Sequence, residues 1–276
     1  MLSGYHTAGL LQHDIVVAIE ELARLGYRSI AVRPRQGMLA IGDAWFGQQL
    51  LRIADATARN KLQLVFDLDS HFMHSPWKSR GPSLSADEPE EVMAARNWIE
   101  TWLGLAAESG ASLITFSSGI QPSQGDENHS ASLTRLAREL DHLVHAATQH
   151  AVNISLRPRF GDSIATVAQF ERLQQWLETE QLGLAADIGE MLQSHEIPLA
   201  DRLDRNRTSL SCVYLCDRLA GLVEDQPLGK GDVAHDRLIT RLREIQFDGP
   251  LIVRIECHSQ LGLTLAEQAI RLFDEP

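Results

Sequence analysis

Arginine and acidic residues recur at the ends of short apolar segments in this 276-residue chain. A guanidinium group presents a planar fork of donors that suits a carboxylate or a phosphate, whereas a carboxylate can accept and move protons. These side chains predict either a site for an anionic ligand or a set of internal ion pairs. The residues concerned are Arg33, Asp67, Asp69, Arg157, Arg159, Asp187, Tyr214, Arg254 and Glu256, followed by His71, Glu190, Asp217, Lys230 and His258.

The elements that must position these residues alternate between short apolar runs and longer helical patterns. Such alternation predicts parallel β-α-β units, and eight units close naturally into a barrel. We therefore predict an α/β fold, a single (β/α)8 TIM barrel over residues 1–276. A doubly wound open sheet is the competitor, but no glycine-rich dinucleotide signature follows the first strand. The predicted strands are Ser3–Thr7, Tyr27–Pro34, Leu62–Asp69, Leu113–Ser118, Val152–Pro158, Leu182–Asp187, Leu210–Asp217 and Leu251–Cys257, and the clearest helices are Asp14–Leu25, Ala44–Asn60, Pro89–Ser109, Ser130–His150 and Ser163–Glu178.

Residues of a strand point alternately to the two faces of a sheet. In the predicted fifth strand, Val152, Ile154 and Leu156 lie on one face, and the polar residues Ser155 and Arg157 lie on the other. We expect the apolar face to pack on the helices and the polar face to point into the barrel. The same alternation in other strands brings the charged residues to the C-terminal mouth, where barrels carry their sites and where buried charge needs partners, water or a ligand.

Composition limits the classes of partner. The net charge of −12 argues against a broad nucleic-acid surface. No apolar run approaches the ~18 residues of a membrane span, and the N-terminus lacks a signal pattern. The low, odd cysteine count fits a reducing compartment, so we expect a cytoplasmic protein without nucleic-acid or membrane partners. Cys212 and Cys216 would lie roughly 13 Å apart on a strand, too far to chelate one ion, and are interpreted as packing thiols.

Five short segments follow one another in an order and spacing typical of one family of barrels. They are Ala-Ile-Glu-Glu-Leu-Ala-Arg-Leu-Gly-Tyr (18–27), Ala-Ala-Glu-Ser-Gly-Ala (106–111), Leu-Gly-Leu-Ala-Ala-Asp-Ile-Gly (182–189), Pro-Leu-Gly-Lys-Gly-Asp-Val (227–233) and Phe-Asp-Gly-Pro-Leu-Ile-Val (247–253). On these segments the chain resembles the sugar phosphate isomerase and epimerase group of xylose-isomerase-like barrels. That family also includes endonuclease-IV-type repair enzymes, and the resemblance covers nearly the whole chain.

The resemblance has a consequence for metal binding. Members with the usual chemistry hold a divalent metal on Glu, Asp, His and Glu from strands five to eight, and the two glutamates move protons. Arginine offers only donors and stays protonated, so two arginines at these positions imply no resident metal. Mg²⁺ or Mn²⁺ bound by the carboxylate oxygens of Asp187, Glu190 and Glu256 is the alternative. The positions that match these four ligands are Arg157, Asp187, Tyr214 and Arg254, and a shift of two residues would instead match the last glutamate with Glu256. Glu190 stands where the family has a further histidine, and Ala31 stands where it often has a glutamate on strand two.

The first functional hypothesis is a metal-free isomerase or epimerase-like protein that binds an anionic, carbohydrate-type ligand at the mouth. Asp187 or Glu256 would move the proton, and Tyr214 or His258 would be the acid partner. The two arginines at former ligand positions would hold the anionic group or stabilise an enediolate. The predicted ligand-binding residues are Arg33, Asp67, His71, Arg157, Arg159, Lys230, Arg254 and His258.

Two further hypotheses stay open beside the first. One is a non-catalytic metabolite-binding or regulatory barrel, which direct pairing of Arg157 with Glu256 or of Arg254 with Asp187 would favour. The other is an abasic-site endonuclease, which needs a cluster of three metals and a basic surface and is disfavoured. Barrels of this type often dimerise, so a homodimer is an open partner prediction.

Two loops are open to a structural and a functional interpretation. The Gly-Lys-Gly turn at 229–231 could offer backbone donors to a phosphate, but a plain tight turn is the interpretation that we favour. The loop His-Ser-Pro-Trp-Lys-Ser-Arg-Gly at 74–81 either lines the mouth or lies on the surface.

Overall fold

The computed structural model describes residues 1–121, 129–219, 222 and 224–274. Eight parallel strands follow one another around a closed barrel, and β8 pairs with β1. The predicted (β/α)8 barrel is confirmed. The strands are β1 (Leu2–His6), β2 (Ser29–Val32), β3 (Gln63–Asp67), β4 (Leu113–Phe116), β5 (Asn153–Leu156), β6 (Gly183–Asp187), β7 (Leu210–Leu215) and β8 (Pro250–Val253).

Helices surround the barrel. Nine α-helices lie in the described ranges, and short 3-10 turns at Thr7–Leu10 and Ser259–Leu261 follow the first and last strands. Asp14, predicted as the first residue of a helix, is its N-cap: its carboxylate accepts from the backbone N–H of Val16 at 3.0 Å. The helices are α1 (Ile15–Arg24), α2 (Phe46–Arg59), α3 (Pro89–Ser109), α4 (His129–His150), α5 (Val167–Gln174), α6 (Ile188–Gln193), α7 (Leu199–Arg205), α8 (His235–Glu244) and α9 (Gly262–Asp274).

Most predicted strands extend too far toward their C-terminal ends. Arg157 and Arg254 lie beyond the regular ladder, but each keeps one backbone hydrogen bond to the preceding strand. The N–H of Arg157 donates to Phe116 O at 2.7 Å, and the N–H of Arg254 donates to Leu215 O at 2.8 Å. This last bond fixes the backbone position from which each guanidinium group enters the mouth.

The interior of the barrel confirms the predicted alternation. Apolar side chains and small hydroxyl residues such as Ser29 and Ser155 lie buried below, and the upper layer carries the charges. The interior around Gly4 has no room for a side chain, because a Cβ there would lie 2.3 Å from Ile252 Cδ1. Cys212 and Cys216 are buried free thiols, as predicted. The apolar interior cluster comprises Ala31, Val65, Leu113, Ala185, Cys212, Tyr214 and Ile252.

No helix in the described ranges is both long enough and apolar enough to span a bilayer.

Candidate functional site

Asp67, at the end of β3, accepts several hydrogen bonds in the layer below the mouth. Its carboxylate is fully buried, and Oδ2 accepts from Arg33 Nη2 at 2.8 Å, Arg33 Nε at 3.0 Å and Arg157 Nη1 at 3.2 Å. Burial by itself would raise the pKa of Asp67, but Arg157 and Arg33 hold that pKa well below its usual value. Asp67 is therefore an anion that fixes two guanidinium groups.

His6 completes this lower layer from β1. Its Nδ1 accepts from the backbone N–H of Ala8 at 3.0 Å, so Nε2 carries the proton and donates to Asp67 Oδ2 at 2.9 Å. Burial lowers the pKa of His6, which keeps the ring neutral. Sequence reasoning did not place His6 in the site, although it lies in the predicted first strand, because that strand carries no other acidic or basic residue that would indicate a charged partner.

Asp69 and two arginines form the β3–β5 side of the mouth. Asp69 Oδ2 accepts from Arg157 Nη2 at 2.6 Å and also binds Arg159. Arg157 is only 2% exposed, and its guanidinium carbon lies 4.9 Å from the centre of the Tyr214 ring. This cation–π contact helps to hold Arg157 in place.

Glu256 links the arginines of β2 and β8. Its Oε1 accepts from Arg33 Nη1 at 2.8 Å and from Arg254 Nη1 at 2.7 Å. Arg254 Nη2 also donates to Asp187 Oδ1 at 3.1 Å. Burial opposes ionisation, yet Arg33 and Arg254 hold the pKa of Glu256 far below its usual value. With a third of its side chain exposed, Glu256 is an ionised carboxylate within reach of a ligand.

The loop between β7 and α8 contributes a further pair that sequence reasoning missed. Arg218 Nε donates to Asp225 Oδ1 at 3.0 Å, and Asp225 lies 3.7 Å from Arg254 Nη1. Arg218 also reaches Glu190 Oε1 at 3.5 Å. Arg218 and Asp225 belong to an irregular segment, where no periodicity indicates the direction of a side chain.

A cavity of about 200 Å³ opens among these groups and is called the mouth cavity below. It brings together most of the predicted site residues. Asp67 and Tyr214 instead lie one layer deeper, and Lys230 and His258 are not among the lining residues. The lining residues are Arg33, Asp69, His71, Arg157, Arg159, Asp187, Glu190, Arg218, Glu224, Asp225, Arg254, Glu256 and Cys257.

Tyr214 was predicted as an acid partner at the mouth. Its side chain is fully buried beneath Arg157, and its hydroxyl lies 2.6 Å from the Thr115 hydroxyl. Burial raises the pKa of Tyr214 well above its usual value. In this position Tyr214 supports Arg157 and has no contact with the mouth cavity.

The turn at 229–231 directs its backbone donors at Asp217. The N–H groups of Gly229 and Gly231 each donate to Asp217 Oδ2 at 2.8 Å, and Val233 N donates to Oδ1 at 3.1 Å. Asp217, predicted near the mouth, is fully buried and anchors this loop. These donors hold the loop closed on itself, as in the favoured interpretation of a plain turn.

The loop at 74–81 has both surface and buried parts. Trp77 is 91% exposed and makes this part of the loop a surface feature. Arg80, in contrast, pairs with the buried Asp162. No residue of 74–81 is among those that line the mouth cavity, so the structure favours the surface interpretation of this loop.

Charges at the mouth cavity nearly balance. Five arginines face six carboxylates among the lining residues, a formal excess of one negative charge. Each of the five arginines has a carboxylate oxygen within 4 Å. The predicted Arg254–Asp187 pair is present, whereas Arg157 pairs with Asp67 and Asp69.

The carboxylates that could bind a divalent cation already have other partners. Asp187 and Glu256, two of the three carboxylates considered for Mg²⁺ or Mn²⁺, both bind Arg254. Glu190, the third, accepts from the backbone N–H of Phe160 at 3.0 Å. Across the described ranges, no three His, Cys, Asp or Glu residues are grouped so as to hold a metal ion.

Stability should depend on pH through this network. The pKa values of Asp69 and Glu256 are lowered, despite burial, by Arg159 and Arg157 and by Arg33 and Arg254, respectively. Their contribution is complete above the unfolded-state pKa of about 4 and is lost as the pH falls below it. We expect urea-unfolding free energies to decline steeply from about pH 4 downward.

Two substitutions test the origin of that decline. Glu256→Gln removes one of the groups with a lowered pKa and should make the decline shallower. Asp43→Asn, at an exposed position, should leave the slope unchanged. Equal slopes for Glu256→Gln and the wild type would contradict the assignment.

Comparison with known proteins relates this geometry to a family. A family model described as a xylose isomerase-like TIM barrel matches residues 19–275. No protein of curated function matches the chain in sequence.

Solved structures show the same fold at low sequence identity. A D-psicose 3-epimerase with D-fructose superposes with a TM-score of 0.76 at 16% identity, covering 98% of this chain and 97% of that one. A D-psicose 3-epimerase from Clostridium cellulolyticum H10 with D-tagatose gives 0.78 at 15% identity, covering 98% and 97%. The 3-keto-D-glucoside 4-epimerase of E. coli gives 0.77 at 17% identity over the whole of both chains.

Proposed function

Because the chain belongs to the xylose isomerase-like TIM barrel family, we propose that it is a sugar epimerase- or isomerase-like protein that binds a small carbohydrate in the mouth cavity without a divalent metal. One observation carries the metal-free part of this proposal. Arg157 and Arg254 occupy positions at which the family resemblance implies metal ligands, and each is bound to carboxylates. Guanidinium groups therefore stand where the resemblance implies acidic metal ligands.

These guanidinium groups can supply part of what a metal supplies. Epimerisation beside a carbonyl removes a proton from carbon and places negative charge on the carbonyl oxygen. Donors already held in place stabilise such charge without reorganising. Arg254 is fixed by Glu256 and Asp187, so its N–H groups are preorganised at the edge of the cavity.

Glu256 is the carboxylate best placed to move the proton. It is ionised and a third exposed, whereas the side chain of Asp187 is only 1% exposed. Asp187 Oδ1 already accepts from Arg254 and from the backbone N–H of Gly189 at 3.1 Å. We assign Glu256 as the base that takes the proton from carbon, and Asp187 as the group that, when protonated, returns a proton to the other face of that carbon.

The balance of charge favours an uncharged carbohydrate over the anionic ligand considered from the sequence. A phosphate or carboxylate would have to displace a carboxylate from its arginine, since each arginine is paired and the lining has one excess negative charge. Hydroxyl groups can both donate and accept, and so can bind between paired charges. The neighbouring epimerase structures with D-fructose and D-tagatose agree with this choice.

A non-catalytic carbohydrate-binding barrel is the second candidate. The observation that favours it is the pairing of Arg254 with Asp187, because each of these groups already has the other as an ion-pair partner. A homodimer and a cytoplasmic location stay predictions from the sequence.

Turnover of ketoses with and without EDTA tests the proposal. The protein should interconvert, or at least bind, one of D-fructose, D-psicose, D-tagatose or L-ribulose equally well with EDTA and with added Mn²⁺. Glu256→Gln should lower kcat by about 100-fold or more and change KM little, because a general base acts in the transition state. Product ratios can be followed by chromatography and binding by calorimetry.

The outcomes separate the candidates. Turnover that depends on Mn²⁺ would overturn the metal-free proposal. Binding without turnover would favour the non-catalytic barrel, and the absence of binding to all four ketoses would contradict both.

A further inference from the structure

A second, smaller cavity adjoins the mouth cavity between the β3–α3 loop and α3, and is called the side slot below. Its volume is about 50 Å³, and Asp69 lines both cavities. The side slot therefore meets the charged network of the mouth at Asp69. Its lining residues are Leu68, Asp69, Ser70, His74, Arg80, Gly81, Pro82, Leu84, Ala95, Trp98, Ile99, Phe116, Ser117, Gly119 and Ile120.

Two polar atoms of the side slot have unmet hydrogen-bonding capacity. Ser70 Oγ and Arg80 Nε are buried, and neither has a partner among the described residues. Ser70 is only 9% exposed. Since buried polar groups without a partner are rare and costly, these two atoms indicate that a polar group from outside the chain is held here.

One wall of the side slot is aromatic. Trp98 packs edge-on against His74, with ring centres 4.6 Å apart, and against Trp102 at 5.7 Å. Arg80 is anchored by its ion pair with the buried Asp162. A preformed apolar wall with a few fixed polar atoms is the usual composition of a small-molecule site.

The volume limits what the side slot can hold. A water needs about 10–15 Å³ of such space, so the side slot has room for roughly three to five non-hydrogen atoms. A sugar ring does not fit, but the terminal arm of an open-chain ketose does. Such an arm combines a hydroxyl group for Ser70 or Arg80 with a carbon chain for Trp98.

We propose that the side slot is a specificity subsite for the terminal hydroxymethyl arm of a ketose whose carbonyl end lies in the mouth cavity. This inference rests on the proposed function and adds to it a length requirement. A six-carbon ketose reaches from the mouth cavity into the side slot, whereas a four-carbon ketose occupies the mouth cavity alone. The protein selects by chain length at the β3–α3 loop.

Calorimetric titration with D-psicose, D-tagatose and the four-carbon ketose D-erythrulose tests the subsite. The wild type should bind the better hexulose at least about tenfold more tightly than D-erythrulose, the discrimination typical of a filled pocket. Ser117→Leu places an apolar side chain in the side slot and should remove this preference while leaving D-erythrulose affinity unchanged. Ser70→Ala removes one polar partner and should weaken only hexulose binding, by a few-fold.

A matched control and distinct outcomes complete the test. Ser79→Leu makes the same substitution at an exposed position of the β3–α3 loop, outside the side slot, and should bind like the wild type. If both ketose classes bind but neither Ser117→Leu nor Ser70→Ala changes their affinity ratio, the side slot holds only water and the subsite is overturned while the proposed function stands. If no ketose binds to the wild type, the proposed function fails, and the subsite that rests on it fails too.

Discussion

Replacing Arg254 with methionine should lower the free energy of unfolding at neutral pH by about 3–5 kcal/mol. Arg254 is 5% exposed and binds Glu256 at 2.7 Å and Asp187 at 3.1 Å, with Asp225 at 3.7 Å. Methionine fills similar space but leaves these carboxylates without their shared counterion. The cost arises from buried negative charges that lose their partner, and carbohydrate binding should be lost with it.

Urea unfolding at two pH values distinguishes this cause from a packing defect. The loss for Arg254→Met should be smaller near pH 5 than at pH 7, because protonation of a carboxylate that has lost its counterion relieves the repulsion. Arg52→Met is the matched control. Its partner Asp14 is half-exposed, so this substitution should cost at most about 1 kcal/mol. Equal losses for the two variants would show that Arg254 does not neutralise the mouth.

Replacing Asp67 with asparagine should have the second large effect. The substitution keeps the size of the side chain but removes the charge that holds Arg33 and Arg157, both more than 90% buried. We expect a loss of about 3–5 kcal/mol in unfolding free energy. Carbohydrate affinity should also fall, although Asp67 does not line the mouth cavity, because the two arginines would lose their fixed orientation.

Asp204→Asn provides the comparison for Asp67→Asn. Asp204 binds Arg241 at 2.5 Å, but both side chains are about a third exposed, and such a pair contributes at most about 1 kcal/mol. Thermal unfolding and carbohydrate titration should place Asp204→Asn close to the wild type. Unchanged carbohydrate affinity in Asp67→Asn would indicate that Arg33 and Arg157 have no part in binding.

Much of the barrel could be predicted because the pattern of strands and helices depends on residues that are close in sequence. The alternation of strand residues placed Arg157 and Arg254 inside the barrel, and the position of each near the end of a strand placed them at its mouth. The extension of the strands was overestimated, since strand propensity continues past the last ladder residue. Asp225 and Arg218 could not be predicted, because the direction of a loop side chain depends on contacts made only after folding.

The amino-acid sequence by itself determined the barrel and the kinds of charge in its mouth, because periodicity and residue type act over a few neighbouring positions. Only the tertiary structure decided which charges meet. Asp67 binds two arginines that lie 34 and 90 residues away, and Glu256 binds one that lies 223 residues away. Closing the barrel sets these distances, so the pairing, the balance of charge and the side slot exist only once all eight strands have come together.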